Sequence, residues 1–207
     1  MTEQEWLTSD DVPAMLEALC TRWRGDQADI VRLTHRYLLA CCRAVWRLLP
    51  LEASRRGVEV AERYIEGRAT REEYGRAEYE AEGAAFFLNP YEHLPEDDEP
   101  TARETRLRYY ADREARIGPL VKDVETIPPE VLGRMVRPAS GDAADSPRQL
   151  LADTAYFADS AIAYPGIRPR ESVIERHKRF LSAPILREVV GNLFHPEGSR
   201  LSASGEV

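Results

Sequence analysis

Between Tyr37 and Thr70 the chain reads YLLACCRAVWRLLPLEASRRGVEVAERYIEGRAT, two apolar stripes at helical spacing divided by one proline. Pro50 has no N–H to continue a helix, and the second pattern resumes at Glu52. So short a link leaves the two helices no choice but to fold against each other, and any fold of this chain must contain that hairpin. The first helix is expected from Gln27 to Leu49, with Ile30, Leu33, Tyr37, Cys41, Val45 and Leu48 on its buried face. The second is expected from Glu52 to Glu66, burying Val58, Ala61 and Ile65 and ending at Gly67. Trp46, Val58 and Ile65 should share one core.

Helical signals continue on both sides. Pro13 fits the first turn of a helix to about Arg24, closed by Gly25, with MTEQEWL packing as a separate turn through Trp6 and Leu7. Thr70 and Glu73 form a capping box for a helix to Leu88, broken by Asn89-Pro90. After the acidic segment YEHLPEDDEP, Thr101 and Glu104 repeat that signature for a fifth helix reaching Arg116. From Gly118 to Pro147 prolines, glycines and small polar residues dominate, with one short apolar piece at 130–136, and a flexible loop is expected near 137–147. Ser146, Pro147 and Gln149 then open a helix to about Tyr164, stopped by Pro165-Gly166. A last helical region is expected from Ser172 to Val190, interrupted near Pro184 and closed at Gly191-Asn192. No strand-period run of useful length occurs. The expected fold is all-α: a bundle of about five N-terminal helices with C-terminal helices packed back on it, one domain over 1–196 and a disordered tail over 197–207.

Composition limits function more than it assigns one. A formal net charge of −8 argues against a general binder of nucleic acid or anionic membranes, which would need a positive field. The longest apolar run, 37–42, is far shorter than the ~20 residues of a membrane span. Cys20, Cys41 and Cys42 show no C-x-x-C spacing, and the acidic opening MTEQEWL is unlike a secretory leader, so a reducing cytoplasm is the expected location. Cys41 and Cys42 point about 100° apart on a helix and read as small core residues. His35 shares a face with Cys42, but His93, His177 and His195 lie on separate segments, and no metal site or other cofactor is expected. No histidine has a Glu three residues before it, which removes the di-iron bundle. Phosphate loops and nucleophile motifs are likewise absent.

Charge is unevenly spread: 20–71 carries about five more basic than acidic residues, and 72–130 about nine more acidic than basic. Two readings stand side by side. Arg55, Glu59 and Arg63 have the spacing of helix-surface pairs. Alternatively, Arg36, Arg43, Arg47, Arg55 and Arg56 form a basic face for an acidic protein or phosphate-bearing partner. No catalytic residue is assigned. The expected function is a non-catalytic interaction or regulatory module with a protein partner; the alternative is an enzyme with an unrecognised site, or a nucleic-acid or nucleotide-binding accessory protein using the Arg-rich face.

The opening MTEQEWL, Met15-Leu16, ACCRAVWRLL at 40–49, SRRGVEVAERYIEGRAT at 54–70 and LREVVGNLFHP at 186–196 together resemble a family of uncharacterised, largely α-helical proteins abundant in planctomycete bacteria such as the Gemmata group. The last piece is similar to that family's L-R-x-I-x-G-N-P-F-R-P element, with Leu193 in place of a proline and His195 in place of an arginine. The middle, 91–169, does not follow the family's Ala-rich helix. The resemblance implies a helical fold and no activity, cofactor or substrate. The G-N-x-F element is expected to be a structural clasp, with Phe194 folded back on the helix before it.

Overall fold

The computed structural model describes residues 1–23, 26–89, 100–137, 146–163, 174 and 176–194. Among them 81% are helical and none is in a strand, which makes the fold all-α. The α-helices are α1 (Glu3–Thr8), α2 (Val12–Arg22), α3 (Gln27–Ala44), α4 (Glu52–Ile65), α5 (Arg71–Leu88), α6 (Pro100–Glu125), α7 (Pro129–Met135), α8 (Pro147–Ile162) and α9 (Ala183–Val190).

The hairpin around Pro50 forms, with one adjustment at its turn. The α-helix ends at Ala44, five residues early, and a 3-10 turn at Trp46–Leu48 replaces its last turn. Leu49 donates to the Trp46 carbonyl at 3.2 Å, the shorter reach of a 3-10 bond. Pro50 has no N–H to donate to that carbonyl in α-helical register. Leu48 and Leu49 are fully buried as a result, while Trp46 is only half-buried.

Helix α4 then approaches α5 and α8 at Gly57. A Cβ there would lie 2.5 Å from Ile162 Cδ1 and 3.0 Å from the Ala81 Cβ. Ala61, Ala77, Ala81, Ala84 and Ala85 continue this small-residue seam and are all buried. The expected signals after α4 are present: Gly67 takes φ +71 just past the end of α4, and Thr70 with Glu73 forms the reciprocal capping box that starts α5.

The C-terminal helices do pack back, and α8 does so at the centre, touching α3, α4, α5 and α6. Leu150, Leu151, Ala155, Phe157, Ala158, Ala161 and Ile162 are buried along it. Ser146 accepts from the Gln149 amide at 3.1 Å, as the cap signature implied.

Two further boundaries differ from expectation. Helix α6 runs through Gly118 and Pro119 to Glu125 instead of stopping at Arg116. A mid-helix proline costs about 3 kcal/mol, and here it lies among the buried Ile117 and Val124 and the half-buried Leu120 and Val121, whose packing offsets it. The expected capping box at Thr101 and Glu104 falls where the side chain of Thr101 lies outside the described residues. The apolar piece at 130–136 forms a helix of its own, α7. The expected interruption near Pro184 falls at Leu181–Ser182, between a 3-10 turn at Lys178–Phe180 and α9, and Pro184 occupies the first turn of α9 behind the cap Ser182. Arg137 is ordered, its amide donating to the Arg179 carbonyl at 3.0 Å. The rest of the expected loop up to 145, the segment 91–99, Gly25, Pro165-Gly166, His195 and the tail lie outside the described residues.

The first and last described helices meet. The Trp6 indole N–H donates to the Gly191 carbonyl at 3.2 Å, and Arg187 donates to the carbonyls of Trp6 (3.1 Å) and Ser9 (2.7 Å). Asn192 donates to Glu3 at 2.7 Å, and Gly191 takes φ 76 at the end of α9. The clasp therefore grips α1. Phe194 is half-buried against the core, beneath the Arg22 guanidinium.

Candidate functional site

The C-terminal turn of α3, the 3-10 turn and the outer face of α4 enclose an open groove of about 750 Å³. Arg43, Trp46, Glu52, Arg55, Arg56, Glu59, Val60, Glu62 and Arg63 line it. Of the five arginines proposed from sequence as a partner surface, Arg43, Arg55 and Arg56 come together here. Arg36 and Arg47 do not line the groove. Trp46, Val58 and Ile65 share the main core as expected, Val58 fully buried and Trp46 and Ile65 half-buried at its edge, and Trp46 also lines the groove. Arg43 stacks on its ring at 4.1 Å and Arg55 approaches at 5.7 Å.

Emptying a fully buried tryptophan site would cost 3–5 kcal/mol. Trp46→Ala should instead cost about 1–2 kcal/mol, the share of a half-buried ring with two exposed cation–π contacts. Urea denaturation checks this; a loss above 3 kcal/mol would mean a fully buried ring.

Most of the positive charge in the groove is already neutralised. Arg43 forms a bidentate pair with Glu62 at 2.9 and 2.5 Å and lies 3.8 Å from Glu59, and its guanidinium pKa is raised chiefly by the Glu62 bond. Arg56 pairs with Glu80 at 3.7 Å and Arg63 with Glu73 at 3.9 Å. These are links between helices, in place of the Arg55–Glu59–Arg63 ladder along α4 that the spacing suggested. Arg55 differs from its neighbours: among the described residues no carboxylate lies within ion-pair distance. Its Nη2 donates only a long 3.5 Å bond to the Trp46 carbonyl, and its Nε is buried without a partner.

Elsewhere the polar groups serve the fold. Burial pushes the Cys41 thiol up to about 11 and the Cys42 thiol well above its ordinary value, so neither is a thiolate at neutral pH. Cys20 is half-buried, and no group of three or more His, Cys, Asp or Glu among the described residues could hold a metal. Ser160 and His177 lie 3.1 Å apart. The hydroxyl is in the last turn of α8, where carbonyls and not amides point outward, so the helix supplies no oxyanion donors. Phe157 and Phe180 pack around the imidazole, which fits a buried structural pair.

Those buried histidines set a pH dependence. Desolvation lowers His35 and His177 to about 4, against hydrogen bonds from His35 to backbone at Ala161 and Ile162. Desolvation, aided by Glu82 and Glu78, raises Asp159 to about 6. The histidines contribute full stability above their unfolded pKa near 6.5 and lose it as pH falls toward 4. Asp159 acts oppositely, its protonated form favouring the fold below its unfolded pKa near 4 and losing that contribution as pH rises through 6. Acidification from pH 6.5 to 4 should therefore destabilise by about 1.4 kcal/mol per pH unit for each histidine, partly offset by Asp159. His35→Gln with His177→Gln should flatten the profile measured by denaturation across that range, and Asp159→Asn should steepen it.

Compared with protein-family models, curated proteins and solved structures, the chain matches none. Among the described residues, no helix is long and apolar enough to cross a membrane.

Proposed function

We propose that this protein is a non-catalytic interaction module that docks another protein through the Trp46 groove. The observation that carries this reading is a half-buried tryptophan held between two arginines in an open groove. Tryptophan and arginine are the side chains most enriched among energetically dominant interface residues, because each presents a large area and, in arginine, a fork of donors. The inter-helix ion pairs fix the groove's walls in advance, which lowers the ordering cost of binding. Cytoplasmic location and membership of the planctomycete family belong to the same proposal.

The test is affinity capture with the purified protein, followed by reconstitution from recombinant components. A stoichiometric protein partner that binds wild type and is lost on Trp46→Ala, but retained on Tyr79→Ala, would support the reading. Tyr79 is 76% exposed on the outer face of α5 and away from the groove. A partner indifferent to Trp46 would overturn it.

A further inference from the structure

The geometry points to Arg55 as a carboxylate receptor: the groove binds a polypeptide segment in which an acidic side chain reaches Arg55 and a neighbouring apolar residue lies on Trp46. This rests on the groove being the docking surface and goes on to name the chemistry of what docks. Three of the four arginines lining the groove already have a carboxylate within 4 Å, and Arg55 has none among the described residues. Its single long bond to a carbonyl leaves most of its five N–H donors for a ligand. A carboxylate satisfies such a fork with two parallel bonds.

The start of α4 adds a partial positive field, which Glu52 in its first turn partly offsets. Arg55 lies near the start of α4, a helix of 14 residues whose N-cap, Leu51, has no side-chain oxygen to satisfy the first amides. Beside the cation, Trp46 and Val60 offer apolar surface, whereas Glu52, Glu59 and Glu62 line the groove with negative charge. One uncompensated cation among acidic walls suits one acidic side chain flanked by apolar ones. It does not suit a polyanion, whose successive phosphates would meet those carboxylates and the net charge of −8.

Panning a random dodecapeptide phage library against wild type, Arg55→Glu, Arg32→Glu and Trp46→Ala tests this without knowing the partner, with thermal melts to verify that each variant folds. Wild type should enrich peptides carrying Asp or Glu next to an apolar residue. Arg55→Glu should weaken the best synthetic peptide by roughly tenfold or more and select Lys or Arg at the acidic position instead. Arg32→Glu, which lies on α3 outside the groove and pairs with Asp29, should change affinity less than threefold.

Enriched peptides without an acidic residue that still depend on Trp46 would overturn the carboxylate assignment and leave the groove as a docking surface. Peptides indifferent to both Trp46 and Arg55 would overturn both. A single-stranded oligonucleotide that displaces the peptide at 150 mM salt would also overturn the assignment, in favour of a nucleic-acid ligand. If Arg55→Glu does not fold, Arg55→Gln takes its place: a tenfold loss supports the assignment and unchanged affinity overturns it.

Discussion

Trp6→Ala should destabilise the protein by about 3–5 kcal/mol, the range for emptying a large buried aromatic site. Trp6 is 0% exposed although it lies six residues from the start of the chain, and it packs in the main core with Val12, Met15 and Leu19. The indole also donates to the Gly191 carbonyl, so the substitution leaves a helix-end acceptor without its donor. Urea denaturation followed by circular dichroism reads the loss. For a domain of this size it corresponds to a fall in Tm of roughly 6–20 °C. A change below 1 kcal/mol would mean that α1 detaches locally, at little cost to the remaining helices, and the clasp would then be peripheral to the fold.

Gly57→Leu should be at least as damaging. At this position α4 has no room for a side chain: Ile162 Cδ1 and the Ala81 Cβ already occupy the space that a Cβ would enter. A leucine adds three further carbons and must push α4 off both α5 and α8, the contacts that assemble the bundle's centre. Overpacking a tight core usually costs 1–3 kcal/mol, and a displaced helix interface lies above that range. Gly57→Ala gives the contrast. Its single methyl gains about 1 kcal/mol of helix propensity while Ile162 shifts its terminal carbon, so the net change should stay within about 1 kcal/mol of zero. Expression and denaturation of the pair decide it: if leucine is tolerated as well as alanine, the helices are not in close contact at Gly57.

Local signals in the sequence were read well where the physics is local. Pro50, Gly67, the Thr70–Glu73 box and the Ser146 cap each act within one turn of backbone, and each sits where the residues placed it. Pro119 was misread because the proline penalty is local while its compensation, the packing around Ile117 and Val124, is tertiary. The same distinction governs the groove. Arg43, Arg55 and Arg56 were legible as a cationic set from composition and spacing. That Glu62, Glu80 and Glu73 neutralise their neighbours, and that Arg55 keeps no such partner, depends on how α3, α4 and α5 cross. That Trp46 packs against the core follows from the short link at Pro50, whereas its partial exposure toward the groove depends on how the 3-10 turn and α4 meet.

The hydrogen bond between Trp6 and Gly191 spans 185 positions of sequence. On a ribosome adding about 5–20 residues per second, α1 emerges on the order of ten seconds or more before the segment that holds it exists. A helix of six residues has no independent stability in water, whereas the hairpin around Pro50 can collapse within microseconds of emerging. Synthesis order thus separates the molecule into an early-folding centre and a first helix that waits for the last, and Trp6 is an exposed apolar handle throughout that interval. The nascent chain, more than the finished protein, is where a chaperone would find something to hold.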